Sequence, residues 1–482
     1  MFLGVLESLP ALPPPTNTLL APGYNPGNFP VAPGHMAPAT VSATSASSIM
    51  RLAAETLEEI VAFTPPESDL SLCRVSKLFY SLCVRSIYSD IGLKSPAAVV
   101  KCCRTVANNV NVASVVKSFE ISYTPSRSPP FSAFYALIGS ALQRMTNVHH
   151  LVLLVPDPSY IAVLKRCYLP HLNHFECCLP LEDTMVTFLN RHLQITYLQL
   201  GAHEVVPHPQ HSIVTLPKLE YFIGNSSCVA PVIRRASLRA AFITWDPVGE
   251  PPLEDSIAAL GRSSTETLNV LSCRRHGWNL DLLNRISTHL PHIYALSMTN
   301  LFFTDLLLIH DLANLQTIGD YLTRFSSLQR LTITCVNVWK PEDEPEPQMD
   351  RAFDTVTAWG TVCPSLVECM VPHSNAVKWV RVCDDLWLPS GSSSARWVWG
   401  QLRCGKYPGW DRVIEALRAR NGGERTSGGG RESHHRRLEK LRSAALAHEY
   451  ESDDEDAQRF GRITLGGAGS RVDDVDGEEG SC

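Results

Sequence analysis

Through the middle of the chain one spacing of apolar residues keeps returning: apolar, two residues, apolar, one residue, apolar. It runs through Val116/Phe119/Ile121, Val148/Leu151/Leu153, Leu172/Phe175/Cys177, Ile195/Leu198/Leu200 and Leu219/Phe222/Gly224. It continues in Leu238/Ala241/Ile243, Leu268/Leu271/Cys273, Ile293/Leu296/Met298, Leu328/Leu331/Ile333 and Leu366/Cys369/Val371. From Val148 onward the first positions are 24, 23, 24, 19, 30, 25, 35 and 38 residues apart. Alternate apolar residues over so short a run predict a strand buried on one face. Between these runs the periodicity is helical over Phe131–Arg144, Tyr160–Cys167, Asp183–His192, Asp281–His289, Asp305–Phe325 and Met349–Trp359. Leu169-Pro170, Leu216-Pro217, Leu290-Pro291 and Cys363-Pro364 precede strand signatures, because proline stops a helix and extends the residue before it. The pattern predicts an α/β chain in which strand and helix alternate.

The shorter steps lie in or beside the period of about 20 to 29 residues seen in leucine-rich repeats, and the longer ones call for insertions. Each such repeat buries its face only against its neighbours, as in a solenoid. Positions one, four and six of the signature point into the core, and positions three, five and seven point outward. The outward set holds His150, His174, Glu176, Tyr197, Gln199, Tyr221, Arg274, Arg330, Glu368 and Met370. Where a regular repeat carries Asn or Cys after the third apolar position, this chain has Pro156, Pro180, His203, Ser227, Asp246 and His276. The solenoid is therefore expected to be irregular.

Upstream, Leu52 to Ile91 reads as three short helices. Leu52, Leu57, Ile60 and Phe63 share a face; Pro65-Pro66 ends that helix; Ser68 or Asp69 offers an N-cap for a second carrying Leu70, Leu72, Cys73 and Val75. A third holds Leu78, Phe79, Leu82, Ile87 and Tyr88. A unit of roughly 40 residues buries too little surface to stand alone, so a partner or the next domain is expected to complete it. Leu52, Glu55, Leu57, Ile60, the break before Leu70, Val75-Ser76-Lys77, Phe79 and Leu82 resemble an F-box. Where that family usually has Leu-Pro, this chain has Leu52-Ala53.

The whole chain is similar to F-box/leucine-rich-repeat proteins of the type abundant in mushroom-forming fungi. That resemblance implies a non-catalytic substrate receptor of a Skp–cullin–F-box ubiquitin ligase. Leu52, Ala53, Leu57, Ile60, Leu70, Val75, Phe79 and Leu82 would meet a Skp-type adaptor and, through it, a cullin–RING ligase. His150, Glu176, Tyr197, Gln199, Tyr221, Arg274, Arg330 and Glu368 would meet a target protein on the concave face. The alternative is a repeat scaffold for protein interaction whose F-box-like helices only cap the solenoid. The expected division is a disordered Pro/Ala/Ser-rich leader (1–49), the F-box-like helices (50–92), the irregular solenoid (93–378), a Trp-rich cap (379–420) and a disordered charged tail (421–482).

Composition narrows this further. The chain has 482 residues, 44% of them apolar, enough for two or three domains. A net charge of −6 lacks the basic footprint of a nucleic-acid binder. Fifteen cysteines without any C-x-x-C speak against a disulfide framework or a zinc ribbon, and for reduced thiols in the cytoplasm or nucleus. No run of about 18 apolar residues predicts a membrane span, and the N-terminus lacks the basic start of a signal peptide. Lys340–Gln348 reads as an acidic exposed loop, and Pro13-Pro14-Pro15, the basic run near Arg436 and Ser452 are minor candidates for docking, import and phosphorylation. Five tryptophans between Trp379 and Trp410 either cover the last layer of the solenoid or anchor a partner.

Catalytic patterns are weak. Gly400 to Lys406 matches G-x-x-x-x-G-K, but Tyr407 stands where a phosphate-binding loop needs Ser or Thr for magnesium. His171, His174, Cys177 and Cys178 have ligand chemistry, yet the register sends Cys177 inward and the others outward or to the side. No enzyme, cofactor or metal is expected.

Overall fold

The computed structural model describes residues 52–65, 68, 71–124, 131–201, 213–245, 253–263, 267–277, 280–301, 312–335, 347–371, 377–383, 386–390 and 395–405. The expectations for the leader, Leu70, residues 340–346, the helix from Trp410 and the tail lie outside these residues. The chain divides into two compact units, Met1–Leu301 and Phe302–Cys482.

The first unit opens with α1 (Ala54–Ala62) and α2 (Lys77–Ser89), and α2 runs directly into β1 (Asp90–Leu93). Then follow α3 (Pro96–Asn108), α4 (Val110–Val115), β2 (Ser118–Ile121), α5 (Ser132–Arg144), β3 (His150–Leu153), α6 (Ser159–Leu164), β4 (His174–Cys177), α7 (Asp183–Arg191) and β5 (Tyr197–Leu200). The unit closes with β6 (Tyr221–Asn225), α8 (Ser226–Ile233), β7 (Ala240–Trp245), α9 (Leu253–Ser263), β8 (Val270–Arg275), α10 (Leu280–His289) and β9 (Ala295–Asn300). Its strands pair in parallel in chain order, so that Ile91, Phe119, Leu151, Phe175, Leu198, Phe222, Ala241, Leu271 and Leu296 form one row across the sheet. All nine are buried, as are the neighbouring residues at position six from Leu93 to Met298. Consecutive helices pack on one another over this apolar face, while the other face stays partly exposed, which is why burial alternates along the strands.

Helix starts follow local chemistry. Ser76 Oγ accepts from Phe79 N at 3.2 Å, and Ser95 Oγ accepts from Ala98 N at 3.3 Å with Pro96 at the first turn of α3. Asn109 Oδ1 caps α4 by accepting from Asn111 N and Val112 N. Backbone bonds tie consecutive strands together at their starts. Thr196 N and Tyr197 N both donate to Asn173 O (2.8 and 3.1 Å), and Glu220 N and Tyr221 N both donate to Thr196 O (2.9 and 3.0 Å). The same two-into-one bond recurs at His149/His150, Asn173/His174, Arg239/Ala240, Asn269/Val270 and Tyr294/Ala295. Each repeat thus satisfies the polar backbone of the next one where its strand begins. At one turn a side chain takes over: Asn300 Oδ1 accepts at 2.9 Å from the N–H of Gly277, whose φ of +81° suits glycine.

The second unit holds α11 (Leu312–Leu322), β10 (Arg330–Cys335), α12 (Pro347–Val362), β11 (Glu368–Met370), β12 (Lys378–Cys383), β13 (Leu386–Ser390) and α13 (Ala395–Arg403). β10 and β11 are parallel, and β12 and β13 then add antiparallel. The tryptophans are mostly core. Trp379, Trp387 and Trp397 are buried, with Trp379 edge-on to Trp397 at 5.3 Å and Phe353 against both. Trp397 Nε1 and Gln401 Nε2 donate to Asp350 Oδ1 at 2.8 and 2.7 Å, fastening α13 to α12. Trp387 lies so close to α12 that a Cβ on Gly360 would meet its ring at 2.8 Å. Trp399 stays part-exposed under the Arg403 guanidinium, and Trp410 lies outside the described residues.

All ten apolar signatures coincide with strands β2 to β11. The pattern did not reveal β1, the β12–β13 hairpin, or helices α4, α8, α9 and α13. The division at residue 301 also falls inside the stretch read as one array. The last residues of the expected acidic loop, Pro347 and Gln348, begin α12.

Candidate functional site

Two surfaces of the first unit hold the residues singled out from sequence. The first is the α1–α2 region. Leu57, Phe79 and Leu82 are 0%, 3% and 6% exposed and pack with Val61 and Cys83 in the helices' own core, joined by Leu72, Cys73, Leu78 and Ile87. They hold the helices together rather than offering a contact surface. Leu52, Ile60 and Val75 are 41%, 39% and 66% exposed, as are Phe63, the C-cap of α1, at 87% and Tyr80 of α2 at 55%. Ala53 is exposed at the N-cap of α1, and Leu70 is outside the described residues. Leu52, Ile60 and Phe63, expected to share a face with Leu57, do not: the buried stripe is Leu57/Val61, and Tyr80 likewise lies off the Phe79/Cys83 stripe.

The second surface is the open face of the sheet. His150, His174, Tyr197 and Tyr221 stand side by side on β3 to β6. His150 and His174 stack at 5.0 Å, His174 and Tyr197 at 4.0 Å and 6° between planes, and Tyr197 and Tyr221 tilt at 6.4 Å. The next row runs Glu120, Val152, Glu176, Gln199 and Ile223. Bonds within strands tie the rows together: His174 Nε2 lies 2.7 Å from Glu176 Oε1, and Tyr197 Oη donates to Gln199 Oε1 at 3.2 Å. Burial raises the Glu120 carboxyl above its ordinary range; Lys94 opposes this, while Glu176 and Asp90 add to it. Burial lowers the His150 imidazole, and His174 and His149 lower it further. Glu120 escaped the sequence reading although it occupies position five of the first signature.

The remaining predicted residues lie elsewhere. Arg274 sits on β8, away from the stacked rings. In the second unit Glu368 bridges Arg330 at 3.1 Å and Lys378 at 2.8 Å, so those charges satisfy each other. A groove at the strand starts is lined by His149, Pro170, His171, Asn173, Gln194, Thr196 and Lys218, with His149 and His171 stacked at 5.6 Å.

Burial pushes the thiols of Cys177 and Cys273 up to about 12 and those of Cys167 and Cys228 to about 11, which keeps them protonated and poor nucleophiles. Cys177 points into the core while His174 faces out onto Glu176 and His171 onto His149, so the His/Cys cluster noted in sequence is dispersed. Among the described residues no three His, Cys, Asp or Glu side chains gather as a metal site. Gly400 to Arg403 is helical within α13, with Cys404 N donating to Gly400 O, rather than an open phosphate-binding loop, and Lys406 and Tyr407 lie outside the described residues. Among the described residues no helix is long and apolar enough to cross a membrane. Compared with protein-family models and with curated proteins, the chain matches none.

Proposed function

We propose that this chain is a non-catalytic substrate-recognition subunit of a Skp–cullin–F-box ubiquitin ligase. On this reading the α1–α2 helices are an F-box that docks a Skp-type adaptor, and the strand–helix repeats are leucine-rich repeats whose open sheet face takes the target. The observation that carries the reading is the set of apolar side chains left exposed on a small helical element: Leu52, Ile60, Phe63, Val75 and Tyr80. Such side chains, left exposed on an element whose own core is small, favour a partner. The adaptor contact is therefore assigned to these residues together with Ala53, and Leu57, Phe79 and Leu82 support it from beneath.

The test is co-expression of the full chain with a Skp-type adaptor, followed by gel filtration. A one-to-one complex is expected, lost in Ile60→Asp/Val75→Asp, whose side chains are both exposed. A folded chain that ignores the adaptor would overturn the reading.

One observation favours a second reading, a protein-interaction scaffold in which these helices only cap the repeats. Helix α2 continues without a linker into β1 and packs on α4, so part of its surface is committed to the first repeat. On that reading the double variant would leave every interaction of the chain unchanged.

A further inference from the structure

The outward positions of β1 to β5 are Asp90, Gly92, Ser118, Glu120, His150, Val152, His174, Glu176, Tyr197 and Gln199. They include three carboxylates and neither lysine nor arginine; Lys94, directly after β1, offsets part of the charge at Glu120. In the second row, Val152 lies between Glu120 and Glu176 on adjacent strands. With strands about 4.8 Å apart, the two carboxylate positions are about 10 Å from one another, and a group seated over Val152 is about 5 Å from each. That separation is far too wide for both to ligate one metal ion, whose bonds are about 2.0 to 2.6 Å. It suits an organic cation whose stem lies on the valine. Beside Val152 in the first row are the His150 and His174 rings, stacked on each other and, through His174, on Tyr197. The His174–Glu176 and Tyr197–Gln199 bonds hold these side chains in place before any ligand arrives, which lowers the entropy lost on binding. Phosphate backbones would be repelled by the same carboxylates, so a nucleic acid is disfavoured.

We propose that the open face of β2 to β5 binds an extended polypeptide segment through an arginine whose guanidinium lies over Val152 between Glu120 and Glu176. Arginine fits better than lysine because its planar group stacks on rings and its stem packs on the valine, whereas an ammonium is a compact, strongly hydrated charge. This deepens the reading of that face as the target-binding surface, and rests on it for its biological meaning: the target would be recognised by a basic, extended segment.

The experiment uses fluorescence anisotropy with the full chain and three fluorescein-labelled dodecapeptides built on Gly-Ser-Arg, Gly-Ser-Lys and Gly-Ser-Glu repeats. The arginine peptide is expected to bind best, the lysine peptide several-fold more weakly, and the glutamate peptide not at all. Glu120→Gln/Glu176→Gln removes both charges while keeping a hydrogen-bonding side chain opposite His174 Nε2, and is expected to weaken the arginine peptide about tenfold or more. Val152→Lys places a cation of the chain's own in the same position, and should produce a similar loss. Equal binding of the arginine and glutamate peptides, or unchanged affinity in the Gln double variant with an unchanged urea midpoint, would overturn the proposal. Ile60→Asp/Val75→Asp separates the two readings. Peptide binding that survives there while adaptor binding was never seen would sink the ligase reading alone. Adaptor binding without arginine selectivity would sink only this surface.

Discussion

At the scale of single residues, His192 shows how burial decides a protonation state. It is buried beside Phe188, with ring centres 4.2 Å apart. Its Nδ1 lies 2.7 Å from Phe188 O, which can only accept, and its Nε2 lies 2.9 Å from Leu169 N, which can only donate. The ring is therefore neutral, with the proton on Nδ1, and it ties α7 to the preceding repeat. Burial lowers its pKa; the Phe188 bond opposes the shift and Arg191 adds to it. A folded value below the ordinary one, about 6.5, means that the unfolded chain binds more protons as the pH drops. The stabilisation is whole above that ordinary value and is lost as pH falls through the folded value. Urea titrations are expected to show lower stability at pH 5 than at pH 7. His192→Ala should cost roughly 2–4 kcal/mol at pH 7, two buried bonds being removed, and should flatten that pH dependence. An equally steep pH dependence in the variant would refute the assignment.

At the scale of elements, the α1–α2 pair separates residues that build a surface from residues that form it. Leu57 is wholly buried between the helices, so Leu57→Asp places an unpaired charge in their core. It should lower helical content and thermal stability, and abolish adaptor binding only as a consequence. Ile60→Asp should leave circular dichroism unchanged. If Leu57→Asp melted like the wild type, the packing described for this pair would be wrong. Ala53 offers the opposite case. Its φ of −60° and ψ of 150° are compatible with proline, and it caps α1 without a side-chain bond. Ala53→Pro should therefore raise stability by about 0.4–1 kcal/mol through the unfolded chain, and tighten adaptor binding. A fall in the melting midpoint would count against it.

At the scale of the whole molecule, the buried thiols take part only as packing. Cys83, Cys103, Cys167, Cys177, Cys228, Cys273, Cys363 and Cys369 are buried and outside any disulfide, while Cys404 is exposed. Dithionitrobenzoate added to the native, reduced protein is expected to leave these eight unreacted, and to label all fifteen cysteines once guanidinium unfolds the chain. Full reaction without denaturant would mean that the strand rows open readily. Reductant should not change the melting midpoint, since no disulfide is present among the described residues.

The apolar spacing alone determined strands β2 to β11 and the faces they bury, because alternation along a strand is a local property that needs no knowledge of neighbours. Leu151 and Leu153 must share a side whatever lies beside them. It likewise marked His150, Glu176, Tyr197, Gln199 and Tyr221 as outward. Which of these meet was decided by the register between strands, and register depends on loops of unequal length: it aligned His150, His174 and Tyr197 in a stack and set Glu120 and Glu176 on either side of Val152. Tertiary packing also made a strand of Asp90–Leu93, whose four residues carry too short a pattern to stand out, and reversed the chain into β12 and β13. It divided the apolar helix positions, sending Leu57 and Phe79 inward while leaving Ile60 and Val75 exposed. A hydrophobic stripe identifies a buried face, but only the elements packed against it decide how much of that face is left for a partner.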